Sequence, residues 1–342
     1  GLQDSLAVDS LDFAYPVTLT HAKGMQVVNH EGYKELFILG PVTGDTIGRY
    51  ILYPRGKRPS LETTAQLIPI PARTLGCLST TDVGVLPILG LRDVLVACSE
   101  PSNINDSLLH LKVEQGLIAN IGQGMGRNTE QILATHPDVL LQSFSESTDK
   151  DQELIAAGIS TITINNWQEE SLLARAEWLK VIGLLFGRNA QADSVFRSIE
   201  ARYQEACNLV ASVQDTLPIL YGIDYQGVWY IPSEGSYVAS MLRDAKLRYE
   251  FAPRGGASEA VSFEYVFSHH RNAGTWICVT PQRLTTLREF LSLNERYQHF
   301  EAAKAGNVWV DRKQKNYGSS DFWEGAPYHP DLILKDLIKA TR

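Results

Sequence analysis

The chain has 342 residues, 44% of them hydrophobic, and a formal net charge of -8. At about 100–200 residues per domain this is enough chain for two cores. An acidic surface without blocks of like charge excludes the basic face of a nucleic-acid binder and offers no polybasic membrane patch, and no run of 18 apolar residues reads as a membrane span.

The polar start (Gln3, Asp4, Ser5, Asp9, Ser10) reads as a tether of the sort that follows a lipid-anchored N-terminus. Strand-like runs at 26–28, 35–39 and 48–53 are separated by turn residues and predict an antiparallel meander. A Pro-rich connector, 54–71, leads to a different pattern. From Arg73 onward, short apolar strands (74–79, 94–98, 139–143, 161–164) alternate with helical stretches (80–89, 129–135, 150–157). Such alternation predicts βαβ units on a parallel sheet.

Leu172, Ala176, Leu179, Gly183 and Phe186 then recur at helical spacing, predicting one rigid helix over 171–186 that joins two lobes. Gly187 ends it, and a second helix runs from Asn189 to Val210. The α/β alternation restarts at Leu217. Strands are expected at 217–223, 275–279 and 308–311, helices at 236–245, 263–268 and 286–293, and a closing helix at 331–340. The expected division is 1–72 (tether and meander), 73–167 (first lobe), 168–215 (bridging and following helices) and 216–342 (second lobe). The fold class is α/β, with two mainly parallel sheets flanked by helices.

Open α/β sheets bind ligands at the carboxyl ends of their strands. In the first lobe those ends carry Thr80, the Gly-rich loop up to Arg127, and Phe144. In the second, Trp229, Tyr237, Arg254 and Trp323 are candidate cleft walls, because a large planar or chelate ligand needs flat aromatic faces with few polar anchors. Trp276 lies inside a strand run and reads as core. Arg127 is either a solvated loop residue or a fork for a carboxylate or hydroxamate. Cys77, Cys98, Cys207 and Cys278 have no CxxC spacing and read as small buried hydrophobes, with a disulfide between Cys77 and Cys98 left open. No Gly-x-Ser-x-Gly elbow, His-Glu-x-x-His or Walker loop supports an enzyme, so a cell-envelope hydrolase is a minor alternative. Bare zinc or manganese capture is the other alternative. His269-His270, the one His pair, is expected at a surface or helix end rather than on an ion.

Several segments carry a family resemblance. They are 73–81, Ile121-Gly122 followed by 129–140 (similar to an E-x-I-x-x-x-x-P-D-L signature), 261–266, and 329–337. In order and spacing the chain resembles the substrate-binding proteins of ABC importers for iron-siderophores, haem and cobalamin. The resemblance implies two lobes bridged by one helix and a monomer without an intrinsic cofactor. It implies an iron-siderophore, corrinoid or haem as ligand, and a place outside the inner membrane, in the periplasm. It further implies that Glu130 and Glu264, one per lobe, dock onto the ABC permease dimer; the alternative for each is a first-turn Glu on its helix dipole. Arg127 matches the place of a ligand-contacting Arg in some relatives. Before Arg73 the meander looks like the N-terminal extension of envelope-anchored members.

Overall fold

A computed structural model describes residues 10–41, 43–143, 151–256, 258–280, 282–311, 317–318 and 320–342. The N-terminal extension forms a four-stranded sheet in the order Met25–Asn29, Lys34–Leu39, Thr46–Pro54, Gln66–Ile70. Its first three strands are the expected antiparallel meander. The fourth lies in the Pro-rich connector and runs parallel to the third. Pro69 is tolerated there because that strand is the outermost of the sheet, where a missing N–H costs no ladder bond.

The first lobe is built on a five-stranded, all-parallel sheet in the order Ser160–Thr163, Val139–Gln142, Leu75–Cys77, Leu95–Cys98, Ala119–Asn120. Its central strands are buried on both faces, as continuous apolar runs require. One face shares a core with the N-terminal sheet through Leu36, Ile38, Leu52 and Ile68. Gln66 and Thr161 stitch the two sheets reciprocally, side-chain amide to backbone in both directions at 3.0 Å. Cys77 and Cys98 stand opposite each other on neighbouring strands, as buried free thiols. Burial pushes both thiols' pKa values up.

The second lobe is more broken. Leu220–Tyr221, Trp276–Cys278 and Val308–Val310 form a parallel three-stranded sheet. An antiparallel set, Asp224–Tyr225, Val228–Ile231 and Glu259–Ser262, stands beside it. Its core is aromatic: Trp229, Trp276, Phe290, Tyr297 and Phe300 pack together.

The helix expected over 171–186 is two helices, Leu172–Glu177 and Leu179–Phe186, broken at Trp178. All eight residues of the second piece are buried, so it is a core helix rather than a span between lobes. The first piece touches both cores, with Leu172 in the second lobe's and Ala176 in the first's, and the next helix, Asn189–Asn208, crosses as well. Ala192, Phe196 and Ile199 on its first half belong to the first lobe's core, and Tyr203 and Ala206 on its second half to the second lobe's. Its 20 residues reach about 30 Å at 1.5 Å per residue.

Candidate ligand-binding site at the lobe junction

Residues 80–89 do not form the expected helix. A single turn, Thr80–Asp82, follows the Leu75–Cys77 strand, with the Ser79 hydroxyl accepting from the Thr81 N–H. The chain then has to admit the second lobe. A Cβ placed on Gly84 would lie 1.7 Å from the Glu324 carbonyl oxygen, so only glycine allows this approach.

The segment that approaches is the helix Asp321–Glu324 and the turn Ala326–Tyr328. Tyr328 buries itself in the first lobe's core, while Phe322 packs on the second lobe's. Glu324, 2% exposed, accepts the backbone N–H groups of Asn105 (2.6 Å) and Asp106 (2.9 Å) from the first lobe. Asn105 also donates its side-chain amide to Asp321. Burial raises the Glu324 pKa to about 7; the two N–H groups oppose that rise, and Asp321 and Asp106 add to it. A carboxyl group balanced between its two states thus lies on the seam between the lobes.

The helix Leu172–Glu177 lies on the same seam. Arg175, 2% exposed, holds its guanidinium 4.5 Å from the Tyr237 ring centroid. Tyr237 opens the Tyr237–Asp244 helix of the second lobe and lies close enough to Tyr221, at the end of the Leu220–Tyr221 strand, to act on its hydroxyl. On the other side is Tyr328, whose hydroxyl pKa is raised by burial and by Asp82 and eased by Arg175. The helix Leu172–Glu177 thus packs on the Tyr237–Asp244 helix of the second lobe and on the turn Ala326–Tyr328.

The expected site residues have several fates. Thr80 and Tyr237 are half-buried at this junction. Trp323 is on the seam helix, 36% exposed and edge-on to Phe322. Arg254 forms an ion pair with Glu170 at 3.0 Å, tying a second-lobe loop to the segment before Leu172. Arg127 is neither a solvated loop residue nor an open fork: its side chain is 8% exposed, and Nη1 donates to Asp151 at 2.7 Å and Gln142 at 3.0 Å. Phe144 lies outside the described residues. Trp229 is not a cleft wall. It is 0% exposed, its Nε1 donates to the Tyr221 carbonyl, and its ring packs on Trp276 and Phe300. Trp276 is core, as expected.

Glu130 and Glu264 are both exposed in first helical turns, capped by Asn128 and Ser262. Glu264 has a partner in Arg296 at 2.8 Å. His269 and His270 end a helix; His269 stacks on Tyr265 and His270 meets Glu250 at 2.9 Å. Among the described residues no group of three His, Cys, Asp or Glu side chains is arranged to hold a metal ion, and no helix is long and apolar enough to cross a membrane.

Sequence reasoning passed over Arg175, Glu324 and Tyr328. Arg175 had a signal, since a charge sat in the apolar stripe of Leu172, Ala176 and Leu179. A cavity of about 630 Å³ opens on the second lobe's side of the seam, lined by Tyr221, Ile277, Phe290, Val308, Phe322 and Ala326 among others.

Two uncharacterized lipoproteins of Methanocaldococcus jannaschii are each 24% identical to this chain. One matches over 241 residues, 69% of this chain and 54% of its own length. The other matches over 306 residues, 83% of this chain and 77% of its own. The chain thus spans about half the length of the first of these relatives. Solved structures share the fold at low identity. A periplasmic heme-binding protein from Pseudomonas aeruginosa has a TM-score of 0.61 at 15% identity, covering 79% of this chain and 94% of its own. A siderophore-binding protein from Vibrio cholerae bound to Fe3+-Desferal has 0.57 at 18%, covering 79% and 100%. The vitamin B12-binding protein of Vibrio cholerae has 0.54 at 14%, covering 79% and 97%. The model of the family described as periplasmic binding protein matches residues 76–315, well over half of the sequence, and the chain belongs to that family.

Proposed function

We propose that this protein captures a metal chelate, a ferric siderophore or a corrinoid, between its lobes and hands it to an ABC permease, without transforming it. The observation that carries the reading is the junction itself. The helix Leu172–Glu177 meets the Tyr237–Asp244 helix and the turn Ala326–Tyr328 there, with aromatic rings and a cation together, the mix of flat apolar walls and few polar anchors that large chelates need. The family, and the siderophore, heme and vitamin B12 named for three structural relatives, support it. Delivery falls to Glu130 and Glu264, exposed charges on different lobes suited to steering onto a basic permease surface. The lipoprotein relatives support an exported, lipid-anchored location.

A calorimetric titration against a ferric hydroxamate, a ferric catecholate, haem and cyanocobalamin tests capture. One-to-one saturable binding of at least one is expected, and binding of none refutes the reading. Trp323, not the buried Trp229, is placed to report occupancy by fluorescence.

A further inference from the structure

The cavity on the second lobe's side of the seam, about 630 Å³, is far larger than a packing void and falls within the range of about 300–1,000 Å³ typical of ligand pockets. From the seam residues Phe322 and Ala326 its lining reaches Gly306, just before the Val308–Val310 strand, and Ala340, near the end of the closing helix Pro330–Thr341. Ile333, Leu337 and Ala340 recur at helical spacing and present one face of that helix to it, about 10 Å long at 1.5 Å per residue. Ile277, Phe290, Val308 and Val310 supply further apolar wall.

Polar side chains on the wall are largely served already. Asp311 accepts the Thr280 N–H at 3.0 Å and the Ser320 hydroxyl. Thr285 donates its hydroxyl to Glu289 at 2.9 Å, and the Thr286 hydroxyl accepts the Glu289 N–H at 3.2 Å. Burial pushes the Cys278 thiol pKa up, so this group stays neutral. Asp336 and Lys339 are exposed and keep their charges in water. An occupant therefore need bring no hydrogen bonds of its own. Two large apolar side chains on the lining, Leu287 and Trp309, are exposed, and an occupant would cover them. Apolar walls of this kind hold water poorly and accept hydrocarbon.

We propose that this cavity binds a single alkyl chain. Because it opens at the seam, the chain has two possible sources: a free fatty acid, or the acyl tail of an amphiphilic chelate held between the lobes. The hydrocarbon is the same in both, and the site does not depend on the capture reading. An extended peptide is the rival occupant, since Val308–Val310 is the outermost strand of its sheet. Along Ile333, Leu337 and Ala340 such a peptide would meet side-chain carbon and no hydrogen-bond partner.

The test titrates the protein by calorimetry with octanoate, decanoate and dodecanoate, and with a ferric tris-hydroxamate carrying either an acetyl or a decanoyl group. Each added methylene should tighten fatty-acid binding about fourfold. The decanoyl chelate should bind at least about a hundredfold tighter than its acetyl analogue. Ala340→Trp and Val308→Phe fill the cavity from different walls, and each should flatten the gain to less than about twofold per methylene. Melting curves establish that each variant is folded. In wild type, dodecanoate should change tryptophan emission, and Trp309→Phe should remove most of that change.

A gain with chain length in the fatty acids alone assigns the cavity to free lipid, and a gain in the chelates assigns it to the tail. No gain in either series overturns the proposal. So does a gain that the folded filled variants keep, an emission change that Trp309→Phe leaves intact, or binding of an extended Val-Thr peptide in place of the acids. If neither chelate binds, the capture reading fails, and the fatty-acid series still decides the cavity.

Discussion

The two lobes solve the same packing problem with different materials. The first lays five parallel strands side by side and lets charge into its interior and along its junction. Glu177, fully buried, receives the backbone N–H groups of Thr20, His21 and Ala22 at 2.8–3.1 Å together with the Lys180 ammonium. Arg127 is locked to Asp151. The second lobe has a three-stranded parallel sheet and a separate parallel pair, Leu217–Pro218 with Leu247–Arg248, and fills the space with rings. Trp276 lies 4.8–5.0 Å from the centroids of Phe290, Phe300 and Tyr297. Rings supply burial without a long sheet. Buried charges supply something else, a single permitted partner geometry. In the first lobe that geometry fixes the N-terminal extension against the helices Leu172–Glu177 and Leu179–Phe186.

The comparison breaks most visibly at those two kinds of core. Glu177→Ala takes the nearer carboxylate from Lys180 and strands three backbone donors, and should cost about 3–5 kcal/mol. Proteolysis should then cut first near residues 15–24, because the lost contacts are the ones that hold that segment. Trp229→Ala should cost a similar ~3–5 kcal/mol through cavity formation, yet leave the N-terminal segment as protected as in wild type. Chemical denaturation with mapped limited proteolysis checks both. Equal exposure of the N-terminal segment in the two variants would mean the lobes do not differ as described.

Between the lobes, Glu324 sharpens the contrast with a pH dependence. Its folded pKa is raised from 4.5 to about 7, chiefly by burial. The folded protein therefore binds the proton more tightly than the unfolded chain. The resulting stabilisation is fully present below about pH 4.5 and is lost as pH rises through about 7. A shift of this size corresponds to at most about 3 kcal/mol. Subtracting the Glu324→Gln melting profile from that of wild type should leave a curve falling between pH 5 and 8. A flat difference would show that the seam carboxylate stays ionised.

The smallest effect on stability should come from the surface. Glu130→Arg with Glu264→Arg, both exposed, should change stability by less than about 0.5 kcal/mol each and leave chelate affinity intact. Uptake in cells should nevertheless be abolished. Preserved uptake would remove both residues from docking.

Much of the first lobe was legible because buried parallel strands announce themselves as apolar runs between helices. The strand at Gln66–Ile70 was not, since Pro69 and its Pro-rich surroundings look like a connector until a sheet edge is there to accept them. Trp229 was misjudged although its signal was present. Along Val228–Ile231 the alternation buries Trp229 and Ile231 and turns Tyr230 outward. A period of two decides which face a ring takes, whatever loop precedes it. The bridge was read as one helix over 171–186, but it is broken at Trp178, and both Leu172–Glu177 and Asn189–Asn208 place residues in the two cores, Leu172 and Ala176 in one case, Tyr203 and Phe196 in the other. The seam residues Arg175 and Glu324 owe their roles to contacts with parts of the chain far away in sequence, about 219 positions in the case of Asn105 and Glu324, which local pattern does not encode.

The central claim is capture of a metal chelate between the lobes. Calorimetric titration of the protein with a ferric tris-catecholate, a ferric tris-hydroxamate, haem and cyanocobalamin tests it most directly. The account predicts one-to-one saturable binding of at least one of them. Absence of saturable binding to wild type, with one-to-one binding of bare zinc or manganese instead, would contradict it.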